Sequence, residues 1–191
     1  MTLWSAGTTA LSDEIRVAVA SNFSTVIKAL TVEFEKTTAH HVVLSFGSTG
    51  KHYAQIKNGA PFDVFLAADA ERPRLLETQG LVQAGSRMTY ARGKLILWTS
   101  KSGIDDIKNT LLIGQDFRHL AVANPKLSPY GLAAQQVMIK LDVWPRLQPK
   151  LVRGENIAQT FQFVHSGNAE LGFVAYSQAA NPKRSVQGSF W

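Results

Sequence analysis

The sequence predicts an α/β protein in two lobes, each a mostly parallel sheet flanked by helices. Three observations carry this. Short β-prone runs alternate with segments of helical periodicity. The spacing between them is that of βα units, which build parallel sheets. A connecting stretch, Tyr90-Ala91-Arg92-Gly93, then separates two such series and leads into a long strand.

The elements follow in order. Ile15 to Ala20 (IRVAVA) is a strand. Ser24 to Thr37 is a helix with Val26, Ile27, Leu30 and Phe34 on one face. Val42 to Phe46 is a strand, and Thr49 to Lys57 a helix closed by Asn58-Gly59. Val64 to Ala67 is a strand, and Pro73 to Gln79 a helix stopped by Gly80. In the second series, Lys94 to Thr99 and Leu120 to Ala123 are strands. Gly131 to Leu141 is a helix with Leu132, Val137 and Leu141 facing the core. Asn156 to His165 is a helix and Leu171 to Ala175 a strand.

Composition narrows the function. The 191 residues are 45% hydrophobic and 18% charged, with no cysteine. Disulfides, thiolate metal sites and cysteine nucleophiles are excluded. No apolar run reaches the roughly 20 residues that span a bilayer, so an integral membrane protein is not expected. The net charge is +6, and residues 91–191 carry the whole excess, with 12 basic and 6 acidic side chains. These are scattered singly apart from Lys183-Arg184. Such scatter argues against a nucleic-acid partner and for a mild attraction to anions. Residues 1–14 read as a signal remnant or a disordered N-terminus, since small residues precede Ser12-Asp13 without a basic n-region.

The informative feature is a repeated junction. Polar, uncharged residues stand where a strand or loop enters a helix. They are Ser21-Asn22, Ser48-Thr49, Ser128-Pro129-Tyr130-Gly131 and Gly154-Glu155-Asn156-Ile157. First-turn backbone amides lack intrahelical acceptors and sit at the positive end of the helix dipole. Together they make a small anion site. Pro129 suits a first helical turn, and leaves the Tyr130 amide free to point outward. In an open parallel sheet such junctions gather along one edge, where ligands bind. Each junction by itself reads first as an ordinary N-cap; the recurrence at four junctions brings the anion-site reading level with it, and both readings stand here.

Other motifs carry less. Gly50-Lys51 fails as a phosphate loop, because His52 follows the lysine and Ser45 stands where the first glycine belongs. No G-x-S-x-G elbow occurs. His40, His41, His52, His119 and His165 lack metal-ligand spacing, and are expected at the surface or half-buried. Asp63 and Asp69 read as strand-end caps. No bare metal ion and no cofactor is expected.

The runs VAVASNF, LSFGSTGKHYAQIKNGAPFDVFLAAD, YARGKLILW, LAVANPKLSPYGLAAQQV and ELGFVAYSQ, in this order, resemble the periplasmic molybdate-binding proteins of bacterial molybdate ABC transporters, the ModA family. The resemblance runs from Ile15 to Trp191. It implies a type II periplasmic-binding-protein fold whose lobes close over molybdate or tungstate. It also implies a monomer, a periplasmic location and a membrane permease as partner. Carried over by motif, the contacts fall on Ser21 and Asn22 in ASNF, and on Thr49 in GSTG with Ser48 beside it. The amides of Tyr130 in SPYG and Ile157 in ENIAQ complete the set. Some relatives use a tyrosine hydroxyl where this chain has Ala175, with Tyr176 one place later. The resemblance further implies a lobe 1 of residues 15–91, incomplete without a C-terminal return segment, and a lobe 2 of residues 92–191.

Three alternatives remain at this stage. One is another tetrahedral oxyanion, such as sulfate or phosphate. Another is a phosphoester-processing enzyme, for which only His52 and Asp63 are near in sequence. The last is a regulator's effector domain, which would need a helix-turn-helix that the fourteen residues before Ile15 cannot hold.

Overall fold

The computed structural model describes residues 13–114, 116–180 and 188–191. The expectation for residues 1–14 lies outside them as far as residue 12. The Lys183-Arg184 pair also lies outside.

The first sheet is built on β1 (Glu14–Ala20). A 3-10 turn at Ser21–Phe23 leads into α1 (Ser24–Thr37). Then come β2 (His41–Gly47), α2 (Thr49–Lys57), β3 (Val64–Leu66) and α3 (Glu71–Thr78). The strand order is β2-β1-β3, and both pairings are parallel. Asp63 extends the β1–β3 ladder, because its amide donates to the Arg16 carbonyl and its carboxylate accepts from the Arg16 amide at 2.7 Å. Asp69 caps α3 by accepting the Arg72 amide at 3.0 Å.

The second sheet begins with β4 (Leu95–Thr99), followed by a π-helical turn at Lys108–Ile113. Next are β5 (Leu120–Ala123), α4 (Pro129–Lys140), α5 (Trp144–Leu147) and β6 (Leu151–Gly154). Then follow α6 (Ile157–His165), β7 (Leu171–Ala175), α7 (Tyr176–Ala179) and β8 (Ser189–Phe190). The order is β6-β5-β7-β4-β8. β5 pairs in parallel with β6 and β7, while β4 runs antiparallel to β7 and β8. Four of the six strand pairings in the two sheets are therefore parallel.

Packing differs between the halves. The main core belongs to the second sheet, where Leu97, Leu112, Leu120, Met138, Leu147 and Leu171 are fully buried. On its other side Trp98 stacks on Phe161, with ring centroids 5.1 Å apart. In the first half, Val17 to Ala20 and Leu76 are buried, but α1 buries no residue. Its stripe of Val26, Leu30 and Phe34 stays exposed among the described residues.

Two sequence expectations need correction. Leu132 is 47% exposed rather than in the core. The helix packs through Tyr130, Gly131, Ala134 and Met138 instead, and Leu132 falls off that face. His52 is buried, not superficial. Its ring lies within hydrogen-bond reach of the Val19 carbonyl and the Gln55 side chain. Phe62 and Phe65 meet it edge-on. Burial holds its pKa below the ordinary histidine value.

Candidate functional site

Four strand ends deliver four helix starts to one place. β1 ends at Ala20 and places Ser21 and Asn22 in the 3-10 turn. β2 ends at Gly47, and Ser48 caps α2. β5 feeds the Asn124–Ser128 turn ahead of α4, whose first residue is Pro129. β6 ends at Gly154, and Asn156 caps α6 by accepting the amides of Ala158 and Gln159 at 3.0 and 3.1 Å. Ser21, Asn22, Ser48, Thr49, Tyr130 and Ile157 all line the same small pocket, with Gly47, Ser128 and Asn156 between them. None of the residues lining it carries a charge.

Hydrogen-bond accounting separates their roles. Thr49 is 1% exposed, and its Oγ1 accepts the Ala68 amide at 3.0 Å. Its one proton is left to donate. The Ser21 hydroxyl donates to Asn156 Oδ1 at 3.2 Å and accepts the Ala158 amide at 3.3 Å, tying the first sheet to the cap of α6. Ser48 is engaged on both sides: it accepts the Lys51 amide at 3.4 Å and donates to Glu155 Oε1 at 3.2 Å. Its hydroxyl proton thus points to the opposite half of the molecule. Asn22 Oδ1 is buried with no partner among the described residues. A buried amide end of this kind is costly unless something pairs with it. The amides of Tyr130 and Ile157 lie in first turns, where their own helices supply no acceptor.

A set of contacts beside the pocket joins the two halves, and sequence reasoning missed it. The Gly50 amide donates to the Leu127 carbonyl at 2.8 Å. Arg72, held by Asp69, donates through Nη2 to the Lys126 carbonyl at 3.1 Å. Lys51 Nζ stands 3.8 Å from Glu155 Oε2. Two of these acceptors are main-chain carbonyls, which leave no side-chain signature. Glu155 was visible only as a carboxylate next to a helix start.

Tyrosines close one side. Burial pushes the Tyr90 hydroxyl up to about 12, with Tyr130 nearby adding to the shift. Tyr90 donates to the Ala67 carbonyl at 2.7 Å. Burial also raises Tyr130, while the Asn22 amide against its hydroxyl works the other way. A broad groove of about 1330 Å³ lies alongside, walled by β3, the 81–95 connection and Tyr176. Its walls include Phe23, Val64, Leu66 and Leu76. It is too large and too apolar to grip a small anion, and the helix starts at Thr49 and Ile157 do not border it. Tyr176 is 42% exposed there, edge-on to Phe190, and does not line the small pocket.

Among the described residues no group of three or more His, Cys, Asp or Glu side chains is placed to hold a metal ion. No described helix is long and apolar enough to cross a membrane.

The bacterial extracellular solute-binding protein family matches residues 15–191. The molybdate-binding protein ModA of Azotobacter vinelandii is 52% identical over 178 residues, covering 93% of this chain and 71% of that protein. The chain belongs to the ModA family of bacterial extracellular solute-binding proteins. The ModA of Rhodobacter capsulatus is 45% identical over 182 residues, 95% of this chain and 71% of its own length. The solved periplasmic molybdate-binding protein of Azotobacter vinelandii superposes with a TM-score of 0.87 at 42% identity, covering 93% of this chain and 78% of that one. The fold is the two-lobed periplasmic-binding-protein fold. A ModA-family chain is a solute-binding component of transport and not an enzyme, so the phosphoester-processing alternative falls away.

Proposed function

We propose that this chain captures molybdate, and tungstate with it, in the periplasm and hands it to the membrane permease of an ABC transporter. One observation carries the reading: four helix starts converge on a single pocket lined by neutral donors and no charged side chain. It agrees with the relatives named as molybdate-binding. Residues 15–91 and 92–191 act as the two jaws, and the protein works as a monomer without a cofactor.

In this reading Thr49 gives the anion its hydroxyl proton, Asn22 its side-chain amide, and Tyr130 and Ile157 their backbone amides. Ser21 turns its proton from Asn156 to the anion. Ser48 lines the wall and keeps its bond to Glu155. Each hydrogen bond to a charged group contributes about 1.5–3 kcal/mol, so several offset the dehydration of a dianion without Lys or Arg. Molybdate, tungstate and sulfate carry no proton at neutral pH. Hydrogen phosphate carries one and asks for an acceptor, which suits this pocket less well.

Isothermal titration with molybdate, tungstate, sulfate and phosphate tests the proposal. The expected result is tight binding of the first two and weak binding of the others. Equal affinity for all four would refute it.

A further inference from the structure

Two consecutive carbonyls of the second half are held by the first half. The turn from Asn124 to Ser128 is stiffened from within. The Asn124 carbonyl accepts the amides of Leu127 and Ser128 at 3.1 and 2.8 Å, and its side chain accepts that of Lys126 at 3.0 Å. The Asn124 amide ties the turn to β6 through the Gly154 carbonyl at 2.7 Å. The carbonyls of Lys126 and Leu127 face the first half. Arg72 Nη2 donates to the one at 3.1 Å, and the Gly50 amide to the other at 2.8 Å. The direction of both bonds is fixed by chemistry, since a guanidinium and an amide only donate and a carbonyl only accepts. The next three residues, Ser128, Pro129 and Tyr130, line the small pocket.

The arm that makes the first bond is preset. Asp69 accepts the Arg72 backbone amide at 3.0 Å and the Nη1 end of its guanidinium, so the side chain is held within the first half. The Arg72 and Asp69 side chains are only 22% and 21% exposed. Lys51 makes a contrast, being 54% exposed and 3.8 Å from Glu155. A flexible exposed pair of that kind contributes little, whereas a planar fork already ordered gives up little freedom on making its bond. Gly50 leaves the space: a Cβ there would lie 2.9 Å from the Leu127 carbonyl oxygen and 3.3 Å from Arg72 Nη2. Asp69 also offsets the charge of Arg72, and neither residue lines the small pocket. Arg72 therefore reaches the anion only through the turn it holds.

We infer that Arg72, held by Asp69, is a positioning residue that clamps the turn before α4 onto the first half, and thereby sets how long the anion stays bound. The inference rests on the proposed oxyanion function, with the two halves acting as jaws. In an open form the carbonyls of Lys126 and Leu127 return to water, while Arg72 stays folded against Asp69. On closing, both bonds form again, and the Tyr130 amide is carried with the turn toward Ser21, Asn22 and Thr49. The anion meets an open cleft before these bonds exist, and it leaves only after they break. The clamp therefore acts on the dissociation rate and leaves the association rate alone, as most contacts within one interface do.

Two variants test this and separate it from a role of charge. Arg72→Met keeps the apolar stem and removes the donors to Lys126 and Asp69. Asp69→Asn keeps an oxygen for the Arg72 amide but gives up the charge that holds the guanidinium. Molybdate is titrated calorimetrically into the wild type and each variant, its association and dissociation rates are followed by stopped-flow fluorescence, and the free proteins are melted. The expected result is that the free variants melt as the wild type does, and that Kd for molybdate rises about tenfold in each, the scale of one hydrogen bond from a charged group. The rise is carried by faster dissociation at an unchanged association rate. Tighter binding by Asp69→Asn would show that the freed charge of Arg72 attracts the anion, and would overturn the clamp. So would an unchanged Kd in Arg72→Met, a loss carried by the association rate, or a loss matched by an equal drop in the stability of the free protein. A wild type that ignores molybdate would bring down the proposed function itself, and this inference with it; a wild type that binds molybdate beside unaffected variants refutes the clamp alone.

Discussion

Replacing Thr49 by Val keeps the volume and the β-branch and deletes one oxygen. That oxygen has one observed role and one proposed role, and they are measured separately. In the free protein Oγ1 accepts the Ala68 amide at 3.0 Å, at a position 1% exposed. Without it the amide is left unpaired, and stability falls by about 1–3 kcal/mol. In the proposed complex the same hydroxyl would give its proton to the anion. Losing a hydrogen bond to a charged group costs about 1.5–3 kcal/mol, or about 10- to 100-fold in Kd. Urea denaturation reads the first loss, through the midpoint at constant m. Calorimetric titration with molybdate reads the second. Thr49→Ser keeps the oxygen and recovers most of both. If Thr49→Val lowers stability but leaves Kd unchanged, the hydroxyl is a strut for Ala68 and donates nothing to the anion.

Three further outcomes are expected. Gly131→Ala places a Cβ 2.1 Å from the Ala123 carbonyl, so α4 must back away from β5. The strain destabilises by about 1–3 kcal/mol, and molybdate binding weakens because the Tyr130 amide moves with the helix; native stability and affinity would refute the contact. Lys51→Ala removes a side chain that is 54% exposed and 3.8 Å from Glu155. It is expected to cost less than about 1 kcal/mol in stability and to change affinity less than Thr49→Val does; a larger loss of affinity would mean that the anion is held by charge. His52 has a folded-state pKa below its unfolded value of 6.5, chiefly through burial. Its contribution to stability is therefore full above pH 6.5 and is lost as pH falls from there through the depressed folded value. Urea melts across that range are expected to show a steeper acid-side decline in the wild type than in His52→Asn, and equal slopes would remove His52 as the cause.

Where local chemistry decides an element, the sequence was readable to the residue. α2 runs from Thr49 to Lys57 because Ser48 caps it and Asn58-Gly59 ends it. β5 and β7 are short apolar runs with polar ends, and both were found at their true limits. The miss at β6 has a different origin. Leu151–Gly154 is only four residues long and follows two prolines, and it becomes a strand because β5 offers it a parallel partner. The two residues of β8 likewise exist through pairing with β4. Leu132 went wrong because a twelve-residue helix with small residues along its packing face gives a weak periodic signal. The six candidate residues were legible because all stand at strand-to-helix junctions. Their hydroxyl protons were not, since the direction of Ser48 depends on Glu155, 107 residues away.

The bonds from Gly50 and Arg72 to the carbonyls of Leu127 and Lys126 bear on how this protein can change over evolutionary time. An acceptor made of main chain is present whatever residue occupies the position. The exposed Lys126 can drift among residue types while its carbonyl still meets Arg72. Constraint falls unevenly on the two sides of such a contact. Gly50 is pinned, because any side chain there would strike the Leu127 carbonyl at 2.9 Å, and Arg72 with Asp69 is pinned by its geometry. Variation among homologues is then expected to be high at position 126 and low at positions 50, 69 and 72. Half of this interlobe grip would leave no mark in a comparison of sequences.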